Sequence, residues 1–105
     1  MPKASAKKAR KAKTTPFDVA EYLRTPEDVA AYLDAWLDEA PDDAAGIARA
    51  LGDIARAQGM GQVAKKAGVS RESLYRALST KGNPSLATVL KVTRALGVRL
   101  HIAAA

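Results

Sequence analysis

A chain of 105 residues is long enough to bury one modest hydrophobic core. It has no cysteine and a single histidine, His101, so disulfides, thiol chemistry and a zinc site are not expected, nor is any other metal or cofactor. The formal net charge of +6 favours an anionic partner, and no apolar run reaches the roughly 18 residues of a membrane span.

The charge is unevenly spread. Residues 1–16 carry six cations and no acid, residues 17–58 carry ten acids against Arg24, Arg49 and Arg56, and residues 59–105 carry eight cations against Glu72 alone. A surface meant only for solubility mixes its signs. A basic end and an acidic middle point to two different partners.

The tail, 1–16, is rich in Lys and Ala and is broken by Pro16. It is expected to be disordered, and serves either as a solubilising leader or as an arm along a DNA backbone. No apolar stretch follows its charges, so it does not read as a secretory signal, and the cytoplasm is the default location. The rest, 17–105, reads as a single helical domain. Asp18 and Glu21 fit a capping-box-like entry to a short helix through Leu23. Thr25-Pro26-Glu27-Asp28 starts a second helix: a hydroxyl cap, proline at the first position, then acids at the positive end of the dipole. That helix runs to about Ala40, with Val29, Tyr32, Leu33, Trp36 and Leu37 as its apolar face. Pro41-Asp42-Asp43 stops it and starts another over about 44–57, burying Ile47, Leu51, Ile54 and Ala55.

Gly59 ends this third helix, and Gly61 stands as a bare cap for a helix beginning at Gln62. Val63, Ala64 and Ala67 give that helix an apolar stripe. Gly68 sits where the chain must reverse, a position that commonly needs positive φ. Val69 plugs the turn, Ser70 caps the next helix, and Leu74, Ala77 and Leu78 face inward at spacings of three and four. Together these are the landmarks of a DNA-binding helix-turn-helix. Arg71, Glu72, Tyr75, Arg76 and Ser79 are left on an outer face of the size that enters a major groove. With Gln62, Lys65, Ser70 and Lys81 they make up the expected DNA-contacting set.

Lys81-Gly82-Asn83-Pro84 is a turn built of breakers. Ser85 caps a final helix whose expected buried side is Leu86, Val89, Leu90, Val92, Thr93 and Leu96, with Gly97 closing it. Val98-Arg99-Leu100-His101-Ile102 alternates apolar and polar, the pattern of a strand over 98–102. A lone strand needs a partner, so Val98, Leu100 and Ile102 are expected to pair two copies as a homodimer. The whole is an all-α chain: acidic N-terminal helices over 17–58, the helix-turn-helix and following helix over 59–97, then the short strand.

Several stretches now carry a family resemblance: Asp18–Leu23, Ala50–Ala55, Gly59-Met60, the run Ser70–Leu78 (SRESLYRAL), Gly82-Asn83-Pro84 and Ala95–Val98. Over about residues 17–102 the chain resembles the addiction-module antidote proteins, antitoxins with a lambda-repressor-like helix-turn-helix of the Xre type. Gly61 and the long basic tail depart from the usual pattern. The resemblance implies that the chain binds a cognate toxin, usually a small basic ribonuclease, and represses the operon they share by binding operator DNA. The acidic middle then has a candidate role: exposed Asp34, Asp38, Glu39, Asp42 and Asp43 either complement a basic toxin or simply solvate helices and their N-termini. A stand-alone prophage-type regulator without a toxin is the alternative. An enzyme is not expected, since nothing resembles a phosphate loop, a catalytic pair or a small-molecule site.

Overall fold

A computed structural model of the chain describes Leu23, residues 25–79 and residues 81–105. The basic tail and the short helix expected up to Leu23 lie outside the described residues, Leu23 itself excepted. Within them are five helices: α1 (Pro26–Glu39), α2 (Ala44–Gln58), α3 (Met60–Ala67), α4 (Arg71–Ala77) and α5 (Leu86–Ala95). No strand forms among the described residues.

Local chemistry sets most helix ends. Thr25 accepts from the Asp28 N–H at 3.1 Å with Pro26 in the first turn of α1, and Asp43 accepts from the Gly46 N–H at 2.8 Å to cap α2. Ser70 and Ser85 do the same for α4 and α5, taking the N–H of Ser73 at 3.0 Å and of Thr88 at 3.1 Å. Each cap satisfies a donor that the first helical turn leaves unpaired. Gly68 and Gly97 close α3 and α5 at φ 74° and 86°. At each, the next residue's N–H turns back into the helix, Val69 to Ala64 O and Val98 to Thr93 O, both at 3.0 Å. This is the Schellman arrangement, in which the left-handed residue is cheap only as glycine.

The core is built from Leu23, Val29, Leu51, Ile54, Met60, Val63, Leu74, Leu78, Val92 and Leu96, all buried, with small Ala55 and Ala64 between them. α1 packs on α2, α2 on α3, and α3 on both α4 and α5. Two glycines allow close crossings. A Cβ on Gly46 would stand 2.6 Å from the Trp36 ring, and one on Gly52 would stand 2.9 Å from the Leu78 carbonyl oxygen. The buried Thr93 hydroxyl donates to Leu90 O at 3.1 Å, so its burial costs no unpaired donor.

Four sequence expectations need correction. First, α3 begins at Met60 rather than Gln62, because Gly59, at φ 101°, both ends α2 and caps α3. Val63 N–H bonds Gly59 O at 3.0 Å, which places Gly61 inside the first turn. Second, Leu86 and Leu90 are not buried: they are 68% and 46% exposed, and the inner side of α5 is Val92, Thr93 and Leu96 with Val89 half-buried. Successive residues rotate by about 100°, so Leu90 lies a quarter turn or more from Val89 and one face cannot hold all six. Third, α1 is rotated toward Ala35, which is fully buried, leaving Leu37 at 46% exposure on the edge. Fourth, residues 98–102 form no strand. Val98 is drawn onto the core by its bond to Thr93, while Leu100 and Ile102 stand 47% and 89% exposed. Alternation of apolar and polar residues makes a strand only where another strand offers its backbone.

Candidate nucleic-acid interface

The α3–Gly68–α4 unit is rigid for its size. The three-residue connection Gly68-Val69-Ser70 is pinned at one end by the Gly68 and Val69 amides bonding back into α3 and at the other by the Ser70 cap. Val69 is half-buried against the core, and Leu74 and Leu78 fix α4 from beneath. α4 is therefore held by buried Leu74, by Leu78 just past its end and by a cap, with Ala77 half-buried and Arg71, Glu72, Ser73, Tyr75 and Arg76 facing solvent.

That surface carries most of the expected residues. Arg71, Glu72, Tyr75 and Arg76 of α4 are exposed, as are Gln62 and Lys65 of α3, Ser70 in the turn, and Lys81 beyond α4. The Arg71 guanidinium lies over the Tyr75 ring, with Cζ 5.6 Å from its centroid. Stacking of this kind orients the guanidinium while leaving its N–H groups available. Ser79 does not reach the outer face as expected. It is half-buried, and its hydroxyl donates to Arg76 O at 3.0 Å, finishing the last turn of α4. The N-terminus of α3 has no side-chain cap, and nothing stands within 4 Å of the open side of Gly61. A helix start without a side-chain cap leaves its first N–H groups available to an anion.

Two exposed residues that the sequence pattern did not single out join this face, Ser73 and Asn83, and Lys66 of α3 is exposed as well. Ser73 and Asn83 line a shallow hollow with Arg76 and Lys81, beside the end of α4. Helical arithmetic alone would have found Ser73, since it lies about 100° from Leu74 and about 140° from Leu78, away from the buried side. Asn83 owes its place to Gly82. The chain folds so tightly under α4 that a Cβ on Gly82 would press on the Ala77 carbonyl oxygen and stand 2.6 Å from that of Arg76. Arg76 and Lys81 thus stand together at this hollow, Lys65, Lys66 and Arg71 are exposed on α3 and α4, and Glu72 is the lone acid in residues 59–105. Such a face attracts phosphate by charge and offers bidentate arginine donors to base edges.

The acids expected to meet a second partner are grouped elsewhere. Asp34, Asp38 and Glu39 are exposed on α1, and Asp42 and Asp43 in the turn to α2, where Asp43 also caps. Asp53 of α2 is paired with Arg56 at 2.8 Å. Among the described residues no group of carboxylates or histidine could hold a metal ion, and no helix is long and apolar enough to cross a membrane.

A model of the probable addiction module antidote protein family matches residues 13–104, nearly the whole chain. The chain belongs to that family. An uncharacterized protein of Haemophilus influenzae is 51% identical over 86 residues, covering 82% of this chain and 87% of its own length. No solved structure matches the chain. An antidote implies a cognate toxin, so the family gives the acidic surface a partner to be tested.

Proposed function

We propose that this antidote is the antitoxin of a type II toxin–antitoxin module. It neutralises a small basic ribonuclease toxin by direct binding, and it represses its own operon through α3 and α4 acting as a lambda-repressor-like helix-turn-helix. The observation that carries the proposal is the division of charge within a member of the antidote family. Residues 59–105 carry eight cations against one acid, five of them on α3, α4 and the turn after α4, while residues 17–58 are strongly acidic. A ribonuclease needs a basic surface to hold RNA, and an acidic antidote surface both complements it and competes with that RNA. Asp34, Asp38, Glu39, Asp42 and Asp43 form the surface for the toxin. Gln62, Lys65, Ser70, Arg71, Glu72, Tyr75, Arg76 and Lys81 serve the operator, joined by Ser73 and Asn83.

A single module of this kind makes few base contacts, and two copies on half-sites about one helical turn apart double them. The antidote therefore acts as a homodimer that binds and does not catalyse. Family membership favours this reading over a stand-alone regulator. It is tested by titrating a DNA fragment from upstream of its own gene with the protein, alone and with the product of the adjacent reading frame. The proposal requires retardation of that fragment over unrelated DNA and a stable complex of the two proteins. Failure of both would refute it.

A further inference from the structure

The α1–α2 turn and the chain before α5 enclose a second hollow, of about 250 Å³, which meets the hollow beside the end of α4 only at Asn83. It is lined by Ile47, Leu51 and Val89 and by two prolines, Pro41 and Pro84, with exposed Ala44 at its mouth. Its single charged lining residue is Asp42. Leu86, 68% exposed, lies one helical turn before Val89 and extends the apolar surface outward. The volume falls below the roughly 300–1,000 Å³ of drug-sized ligand sites, which argues against a small molecule. It suits one large apolar side chain of the sort that anchors a protein interface. Two prolines in the lining reduce the ordering that docking would cost.

Charge decides which protein. No cation lines this hollow, and Asp38, Glu39 and Asp43 are close in sequence to Asp42 and exposed. The hollow between the start of α1 and the chain after α5 has mixed charge, Glu27 with Arg94 and Arg99, and selects no sign. We infer that the Ile47–Leu51–Val89 hollow is the anchor pocket for the toxin. A large apolar side chain of the basic toxin enters it while neighbouring cations meet Asp42 in its lining and the exposed acids next to Asp42 in sequence. This rests on the antitoxin reading above and adds the place and the chemistry of the contact.

Binding of the product of the adjacent reading frame to the full-length antidote tests it, comparing the native protein with Ala44→Arg and Ala44→Ser. Ala44 is exposed, so an arginine there overhangs the mouth and brings the wrong charge without entering the core. Affinity should fall roughly tenfold or more for Ala44→Arg, as for loss of an interface anchor, and stay near native for Ala44→Ser. Melting temperature and binding to upstream DNA should be unchanged. Native affinity in Ala44→Arg would overturn the inference and leave the antitoxin reading standing. So would unchanged toxin affinity with an altered sedimentation profile, which would give the hollow to a second copy. If Ala44→Arg does not fold, Leu86→Ser decides by the same comparison, with weakened binding expected. A native protein that does not bind the neighbouring product at all removes both readings.

Discussion

Gly82 has no room for a side chain. Its amide donates to Ser79 O at 2.9 Å, and a Cβ would press on the backbone carbonyls of Arg76 and Ala77 at the end of α4. Both obstacles are backbone, so relief requires moving α4 or the turn. Gly82→Ala should therefore destabilise by about 1–3 kcal/mol, the usual cost of forced overpacking, read as a lower denaturant midpoint at unchanged slope. Arg71 and Arg76 differ in kind, being exposed and outside the core. Replacing both with alanine should leave the melting curve alone and weaken upstream-DNA binding by about 1–3 kcal/mol for each base deprived of its arginine, with a shallower dependence on salt. Unchanged affinity in the folded double variant would take α4 out of the DNA interface.

The helices show which signals are legible in a sequence and which are not. Caps and C-terminal glycines act over three or four residues, so Thr25, Asp43, Ser70, Ser85, Gly68 and Gly97 could be assigned from the chain alone, and the structure has each in that role. Rotation of a helix about its axis depends on the neighbour. The exposure of Leu37, Leu86 and Leu90 therefore could not be read from apolar spacing, nor could the burial of Ala35. The same limit applies to residues 98–102, where alternation was real but no strand stood beside it. At the start of α3 the error was local: Gly59 can end one helix and cap the next, and a two-residue shift follows. That shift has a measurable consequence. Gly61 now lies in a helical turn with nothing within 4 Å of its open side. Gly61→Ala should stabilise the protein by about 0.4–1 kcal/mol through the unfolded chain, raising its melting temperature. A lower melting temperature would contradict the placement of Gly61 within α3.

Over the whole molecule, the chain is basic at both ends and acidic in its middle. The cationic face of α4 and the acids of α1 and the α1–α2 turn were both foreseeable from charge counts, because long charged side chains are rarely buried. How an apolar hollow adjoins Asp42 was not foreseeable, because its lining comes from residues 41–51 and 83–89 together. The exposed Leu100 and Ile102 bear on assembly. Sedimentation should give twice the monomer mass at micromolar protein, and Ile102→Asp should lower it; a native monomer would remove the dimer from the account. The central claim, that this antidote neutralises a basic toxin through its acidic side, has a direct measurement. It is the growth of cells expressing the adjacent reading frame together with native antidote, with Arg71→Ala/Arg76→Ala, or with Asp38→Lys/Asp42→Lys. Native antidote and the arginine variant should restore growth, and the charge-reversed variant, folded and expressed equally, should not. Growth that stays arrested with the native antidote, or recovers fully with the charge-reversed one, would contradict the claim.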